Sequence, residues 1–153
     1  MFMFGSRSEE NLEGVDPRLV RCARRAIATT SVDFTVFEGL RTIERQRELV
    51  RNGVSRTLDS YHLTGHALDL VPWIAGREQW QMPACIQVAI AMREAALEFG
   101  VTITWGAVWD RKLVDLNPAK LGLAIENYVA RFKAIHGPEA RPLIDGPHFQ
   151  VAR

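Results

Sequence analysis

The chain lacks two features that would each point to a particular class of protein. It has no apolar run long enough to span a membrane, and its apolar first four residues are too few for the core of a signal peptide. It also lacks an excess of charge of one sign, because 19 Lys and Arg residues balance 18 Asp and Glu residues, for a net charge of +1. We therefore expect neither membrane insertion nor a nucleic-acid partner.

Cysteine is scarce as well. Cys22 and Cys85 lie in separate apolar helical patterns without a CxxC spacing, which predicts two buried free thiols and gives no indication of an oxidising compartment. What the chain has is a balanced composition, 47% hydrophobic and 24% charged, over 153 residues. This composition and length predict one globular domain spanning residues 1–153.

Local signals predict helices and strands in a mixed order. The predicted helices span residues 17–29, 42–52, 83–99 and 117–136, and each begins at an N-cap residue or a proline. The predicted strands span residues 33–40, 67–74, 101–105 and 148–151. This order favours an α+β domain with one small, mainly antiparallel sheet flanked by helices. Arg41 falls at a corner between a strand and a helix.

A short segment over residues 60–69 combines two imidazoles and a carboxylate among apolar neighbours. Imidazole and carboxylate together suit zinc, which takes three protein ligands at catalytic sites and keeps a fourth position for water. Ligands of one ion must lie within roughly 4 Å of each other, whereas seven residues of strand would separate His62 from Asp69 by roughly 23 Å. We therefore expect the chain to double back between them, at Thr64 and Gly65.

His62 and His66 form an alternative pair, since their four-residue spacing would place both on one face of a helix, as in the HExxH metalloproteases. Leu63 stands where that motif has glutamate, and Gly65 disfavours a helix here. We predict instead that His66 is a strand-edge or cleft-lining residue.

The third ligand must come from elsewhere, and the remaining histidines are His136 and His148. His136 lies at the end of a predicted helix, where capping explains it. His148 begins a predicted strand directly after the turn-forming sequence Asp145-Gly146-Pro147. We therefore predict His148 as the third ligand, with Asp145 placed beside the metal-bound water.

These residues also carry a resemblance to a known family. The pattern SxHxxGxAxD over residues 60–69, followed by DxxH over residues 145–148, resembles the D-Ala-D-Ala metallopeptidase superfamily. Within it, the chain looks most like the bacteriophage L-alanyl-D-glutamate endopeptidases, and the similarity includes FGSRSEENL, VDPRLVRCARRAI, DFTVFEGLRT and WGAVWD. The resemblance implies the hedgehog/D-Ala-D-Ala-peptidase-like α+β fold.

The resemblance also implies the roles of individual residues. The implied zinc ligands are His62, Asp69 and His148. Asp145 matches the general base, and Arg41 matches an arginine that stabilises the developing oxyanion, with a surface ion pair as the alternative for Arg41. Ser60 matches a position that contacts substrate, although its hydroxyl would equally satisfy a local turn.

Two parts of the chain depart from the family pattern. The aromatic loop from Trp105 to Trp109 carries Val108 where relatives commonly have an acidic residue. We expect Trp105 and Trp109 to contact substrate and this loop to influence which bond is cut. The segment over residues 112–141 is longer than in small phage relatives, and we expect it to reshape the substrate cleft.

The implied function is that of a zinc-dependent phage endolysin that hydrolyses the L-alanyl-D-glutamate bond of peptidoglycan stem peptides. It would be a single catalytic domain without a separate wall-binding module, and a monomer in the host cytoplasm. It would reach the periplasmic peptidoglycan after a separate protein opens the inner membrane. The alternatives are a D,D-carboxypeptidase or dipeptidase of the same superfamily and a non-catalytic zinc-binding domain. The presence of Asp145 and Arg41 favours an enzyme. A second ion such as calcium is left open.

Overall fold

Five α-helices and five β-strands make up the regular structure. The computed structural model describes residues 1–153. The helices are α1 (Ser6–Asn11), α2 (Pro17–Thr29), α3 (Ile43–Arg51), α4 (Met82–Phe99) and α5 (Leu121–His136). The strands are β1 (Phe34–Glu38), β2 (Ala67–Ile74), β3 (Arg77–Glu78), β4 (Thr104–Trp105) and β5 (His148–Gln150).

Capping residues set the ends of the main helices. The Asp16 carboxylate accepts a hydrogen bond from the backbone N–H of Arg18 at the start of α2. The Thr42 hydroxyl does the same for the backbone N–H of Arg45 at the start of α3. Gly100 ends α4 in the left-handed conformation, with φ of 65°. These local hydrogen bonds satisfy backbone groups that a helix terminus leaves unpaired. The observed limits of α2, α3 and α4 lie within one residue of the predicted ones, so those predictions are confirmed.

The strands form one antiparallel sheet in the order β1-β2-β5-β4, with β3 paired to β2. Asp69 lies opposite Glu38 on one side, where the pairing carries an irregularity, and opposite His148 on the other. The predicted α+β class with a small antiparallel sheet is confirmed. The centre of the sheet therefore places a carboxylate between two neighbouring strands.

A single cluster of 27 buried residues forms the hydrophobic core. α4 contacts both β2 and α2, and α1 contacts β1. Cys22 of α2 and Cys85 of α4 are buried free thiols, as predicted. No helix combines the length and the apolar character that crossing a bilayer requires.

The strand predicted over residues 101–105 is wrong for its first three residues. Only Thr104 and Trp105 pair with β5, and the carbonyl of the preceding Ile103 accepts a hydrogen bond from the Leu113 backbone N–H instead. The backbone N–H of Val101 instead bonds to the Ala96 carbonyl at the end of α4. The helix predicted from residue 117 begins as a short 3-10 turn over Pro118–Lys120 before α5. Helix α1 and strand β3 were not predicted.

Candidate metal centre

Strand pairing brings the two distant parts of the motif together. Asp69 of β2 and His148 of β5 face each other across the antiparallel ladder, although they are 79 residues apart in the chain. The Nδ1 atom of His148 lies 3.3 Å from Oδ1 of Asp69. Because the ladder fixes the register, this pair is a direct consequence of sheet formation.

His62 reaches the same carboxylate through a tight turn. It lies in a 3-10 helix over Tyr61–Thr64, which Ser60 caps by accepting a hydrogen bond from the His62 backbone N–H. Gly65 then reverses the chain with φ of 74°. The Nε2 atom of His62 consequently lies 3.2 Å from Oδ1 of Asp69. The predicted turn before β2 is confirmed, and the helical alternative of His62 with His66 is excluded.

The three side chains offer a donor set that fits a metal ion. One ligand atom from each of His62, Asp69 and His148 lies within 4.8 Å of the others. Ligands held tetrahedrally about an ion at about 2 Å are about 3.3 Å apart. The two N–O distances to Oδ1 of Asp69, 3.2 and 3.3 Å, match that spacing. Two of the three pairs of donor atoms therefore already have the spacing expected around a small divalent cation.

Each imidazole has its second nitrogen occupied, which fixes the ring. Nδ1 of His62 lies 2.8 Å from the Gly39 carbonyl oxygen. Nε2 of His148 lies 2.8 Å from Oε1 of Gln150. A ring N–H donating to these acceptors leaves Nε2 of His62 and Nδ1 of His148 with free lone pairs toward Asp69. The two histidines thus present different nitrogens to one site.

The electrostatics of the cluster keep Asp69 ionised and make the neighbouring Asp145 carboxylate more basic. Burial by itself would raise the pKa of Asp69, but charge and hydrogen bonds from His62 and His148 outweigh it and hold that pKa far below its usual range. Burial opposes protonation of His148, yet Asp69, Gln150 and Asp145 together raise its pKa. Burial, followed by the charge of Asp69, raises the pKa of Asp145.

Asp145 is held beside His148 by a turn that packs against the aromatic loop. The backbone N–H of Asp145 donates to the Gly106 carbonyl at 2.8 Å, and the N–H of Gly106 donates to the His148 carbonyl at 2.8 Å. A Cβ atom on Gly106 would collide with the Asp145 carbonyl oxygen and crowd the His148 side chain. The glycine therefore allows a close approach that a larger residue would prevent.

Arg41 is fixed next to the cluster by several partners. Its guanidinium donates two hydrogen bonds to the Glu38 carboxylate, at 2.8 and 2.7 Å, and one to Oε1 of Gln46 at 2.8 Å. Its Nη2 atom also lies 3.6 Å from Oδ2 of Asp69. The backbone N–H of Arg41 donates to the His62 carbonyl at 3.0 Å. Arg41 is thus a largely buried cation at the cluster, and the surface ion pair considered from the sequence is wrong.

The cluster opens into a cleft with a volume of about 410 Å³. Arg41, Ser60, Trp109 and Asp145 all line this cleft with the three cluster residues. The Trp109 ring lies 5.2 Å from the His148 ring, and its indole N–H donates to the Leu143 carbonyl at 3.0 Å. A cleft of this size suits a small ligand or a short stretch of peptide.

Trp105, in contrast, does not reach the cleft. It is fully buried, and its indole N–H donates to the Gly146 carbonyl at 2.7 Å. Trp105 therefore supports the turn that carries Asp145, and the predicted contact between Trp105 and substrate is wrong. Val108 is fully buried too.

The other sequence candidates lie outside the cluster. Nδ1 of His66 is 2.8 Å from the Thr64 hydroxyl, and His66 does not line the cleft. His136 is exposed at the end of α5. No residue from 112 to 141 lines the cleft. The segment therefore does not reshape the substrate cleft by direct contact, contrary to what the sequence had led us to expect.

Three polar residues that support the site were not predicted. Glu38 and Gln46 hold Arg41, and Gln150 holds His148. The sequence offered two signals for these contacts. Glu38 precedes Arg41 by three residues, and Gln150 follows His148 by two. Gln46 is fully buried and donates to the Ser55 hydroxyl and the Thr57 carbonyl. Its position in an amphipathic helix gave no sign of this connection.

Comparison with known sequences identifies several similar proteins. The family described as phage L-alanyl-D-glutamate peptidase matches residues 1–122. The L-alanyl-D-glutamate peptidase of Escherichia phage T5 is 37% identical over 113 residues, which cover 71% of this chain and 82% of that protein. The L-alanyl-D-glutamate peptidase of Listeria phage A118 is 35% identical over 69 residues, which cover 43% of this chain and 25% of that protein.

A solved structure extends the similarity over almost all of the chain. The crystal structure of the L-Ala D-Glu endopeptidase ChiX from Serratia marcescens matches with a TM-score of 0.71 and 40% sequence identity. The match covers 98% of this chain and 90% of the Serratia chain. It therefore extends past residue 122, where the family match ends, into the part that carries Asp145 and His148.

Proposed function

Because the chain belongs to the phage L-alanyl-D-glutamate peptidase family, we propose that it hydrolyses the bond between L-alanine and D-glutamate in peptidoglycan stem peptides. The observation that carries this proposal is the position of a His-Asp-His cluster and a separate carboxylate, Asp145, in one open cleft. A metal-binding cluster without a neighbouring base would suit a purely structural ion equally well. The combination favours hydrolysis.

Zinc is the metal that best fits the proposed site. Two imidazoles and one carboxylate are a ligand set that zinc uses at catalytic centres, where three protein ligands leave one position open. His62, Asp69 and His148 would hold it. When bound, zinc would supply Lewis acidity, which lowers the pKa of a water molecule and polarises the scissile carbonyl group.

Asp145 is the proposed general base. Its carboxylate lines the cleft beside His148 without being one of the clustered ligands. Its raised pKa, caused first by burial, makes the ionised carboxylate a stronger base than an exposed one. Asp145 would accept a proton from the attacking water and return it to the amine of D-glutamate as that amine leaves.

Arg41 is the proposed stabiliser of negative charge on the reacting carbonyl oxygen. Glu38 and Gln46 hold its guanidinium in place before substrate arrives, so little reorganisation is needed during the reaction. Ser60 and Trp109 line the cleft and are the proposed substrate contacts.

The family also supports a biological setting, which we propose for this chain. Residues 1–153 would act as a single catalytic domain and as a monomer. As a phage endolysin it would be made in the host cytoplasm and reach the periplasmic peptidoglycan once the inner membrane has been opened by another protein. No nucleic acid is needed for this activity.

Mass spectrometry of peptidoglycan fragments tests the proposed function. Purified peptidoglycan is digested with the zinc-loaded protein, and we expect fragments with a new N-terminal glutamyl residue. Digestion after treatment with a chelator should give none, and added zinc should restore them. Release of free D-alanine instead would identify a D,D-carboxypeptidase, and the absence of any product would contradict the proposal of an enzyme.

A further inference from the structure

The cleft contains two arginine side chains, and they differ in how freely each can pair with a carboxylate group of the substrate. Arg41 and Arg45 are the lysine or arginine residues that line it. The Arg41 guanidinium is already bonded to Glu38 and Gln46, and only 9% of its side chain is exposed. Three of its five N–H groups are therefore used, which leaves donors for a single carbonyl oxygen but few for a second carboxylate. Arg45 has no such restraint.

The one ionic partner of Arg45 is weakly held. Nη1 of Arg45 lies 3.1 Å from Oε2 of Glu48, three residues further along α3. The two side chains are 46% and 50% exposed, so water and salt screen their attraction. Glu48 does not line the cleft. Arg45 can therefore exchange Glu48 for an anion inside the cleft at little cost.

The orientation of α3 directs Arg45 toward the cleft. Arg45 and Leu49 both line it, and residues four apart lie on the same face of a helix. Arg47 belongs to the same helix but is exposed and does not line the cleft. Arg45 also lies in the first turn of α3, where the helix dipole adds a favourable potential for an anion.

We propose that Arg45 binds the free carboxylate of the D-glutamyl residue on the leaving side of the scissile bond, an inference that rests on the proposed function. Glutamate has two carboxyl groups, and the stem peptide continues through one of them. The other is a carboxylate in some peptidoglycans and a carboxamide in others. A guanidinium forms two parallel hydrogen bonds with a carboxylate but not with a carboxamide. Arg45 would thus select the acidic form of the substrate.

Two synthetic stem peptides that differ only at this group provide the test. We expect the zinc-loaded wild-type protein to show a kcat/KM at least about tenfold higher for the carboxylate peptide than for the carboxamide peptide. Arg45→Ala should lose most of this preference, because its kcat/KM should fall for the carboxylate peptide and stay unchanged for the carboxamide peptide. Arg45→Lys, which keeps the charge but not the paired donors, should retain part of it. Arg47→Ala is the matched control and should keep the full preference.

The outcomes separate this inference from the function on which it rests. If the wild type cleaves both peptides without preference, or Arg45→Ala keeps the preference, the assignment of Arg45 is overturned while the peptidase activity stands. An equal loss on both peptides in Arg45→Ala would overturn it as well. If the wild type cleaves neither peptide, the proposed function fails together with the inference. Thermal unfolding of each variant checks that the fold is intact.

Discussion

At the scale of single residues, His148 and Asp145 lie three positions apart but make different contacts. His148 turns one ring nitrogen to Asp69 and the other to Gln150, which is the arrangement of a ligand with a supporting partner. Asp145 lines the cleft outside the cluster of donor atoms. The proposed ligand His148 and the proposed base Asp145 should therefore respond differently to substitution.

We expect His148→Ala to lose zinc and Asp145→Asn to keep zinc while losing activity. Removal of a ligand weakens metal binding, whereas removal of a general base lowers the rate by about 100-fold to 10,000-fold. Elemental analysis after dialysis measures the zinc, and kcat on a stem peptide measures the rate. His136→Ala is the control, since its exposed histidine lies outside the cluster. Stoichiometric zinc in His148→Ala, or wild-type activity in Asp145→Asn, would contradict the assignment.

The residues of the site were predictable to different degrees. His62 and Asp69 lie within one motif, so their side-chain types and the turn signal between them were enough to predict the pair. Trp105 was assigned to the cleft from its place in an aromatic loop, but it is fully buried. An aromatic side chain next to a motif can serve either the cleft or the core, and only packing decides between them.

At the scale of elements, the turn at Gly65 decides whether His62 and Asp69 can meet. The left-handed φ of 74° lets the chain reverse between the 3-10 helix and β2. The Gly65 carbonyl also accepts a hydrogen bond of 2.8 Å from the Asp16 backbone N–H at the start of α2. A Cβ atom at Gly65 would collide with the carbonyl oxygen of Gly14. The turn thus needs glycine both for its backbone conformation and for its close packing.

We expect Gly65→Ala to lower the free energy of unfolding by about 3 kcal/mol or more, through backbone strain and overpacking together. Gly53→Ala is the matched control, because Gly53 has φ of 71° but open space around its Cβ position. It should cost only the backbone strain, about 1 kcal/mol. Urea unfolding of both variants measures the difference. Equal losses in the two would show that the contact with Gly14 is unimportant.

At the scale of the whole molecule, the hydrophobic core and the proposed metal centre lie in separate sets of residues. The 27 core residues include none of the three cluster ligands. Burial of that apolar surface is the main force that favours folding. We therefore infer that the protein folds without a bound metal ion and that binding of the proposed zinc ion would add stability by linkage.

We expect the chelator-treated protein to keep its near-ultraviolet circular dichroism and a cooperative thermal transition. Zinc at about 100 times its dissociation constant should add about 2.7 kcal/mol. For a chain of this size that gain raises Tm by about 5–10 °C. Scanning calorimetry with and without zinc measures it, and His148→Ala should show no such shift. A chelated protein without a cooperative transition would contradict this picture.

The sequence by itself determined the helix limits at Asp16, Thr42 and Gly100, the extent of β2 and the types of side chain in the His-Asp-His cluster. Caps, turns and side-chain type act over a few residues, so a local pattern is enough to predict them. Only the tertiary structure decided that Trp105 belongs to the core, that Gln46 connects to Arg41, and that Arg45 faces the cleft. It also brought His148 to Asp69 across 79 residues. Such contacts depend on packing between elements far apart in the chain, which no local pattern specifies.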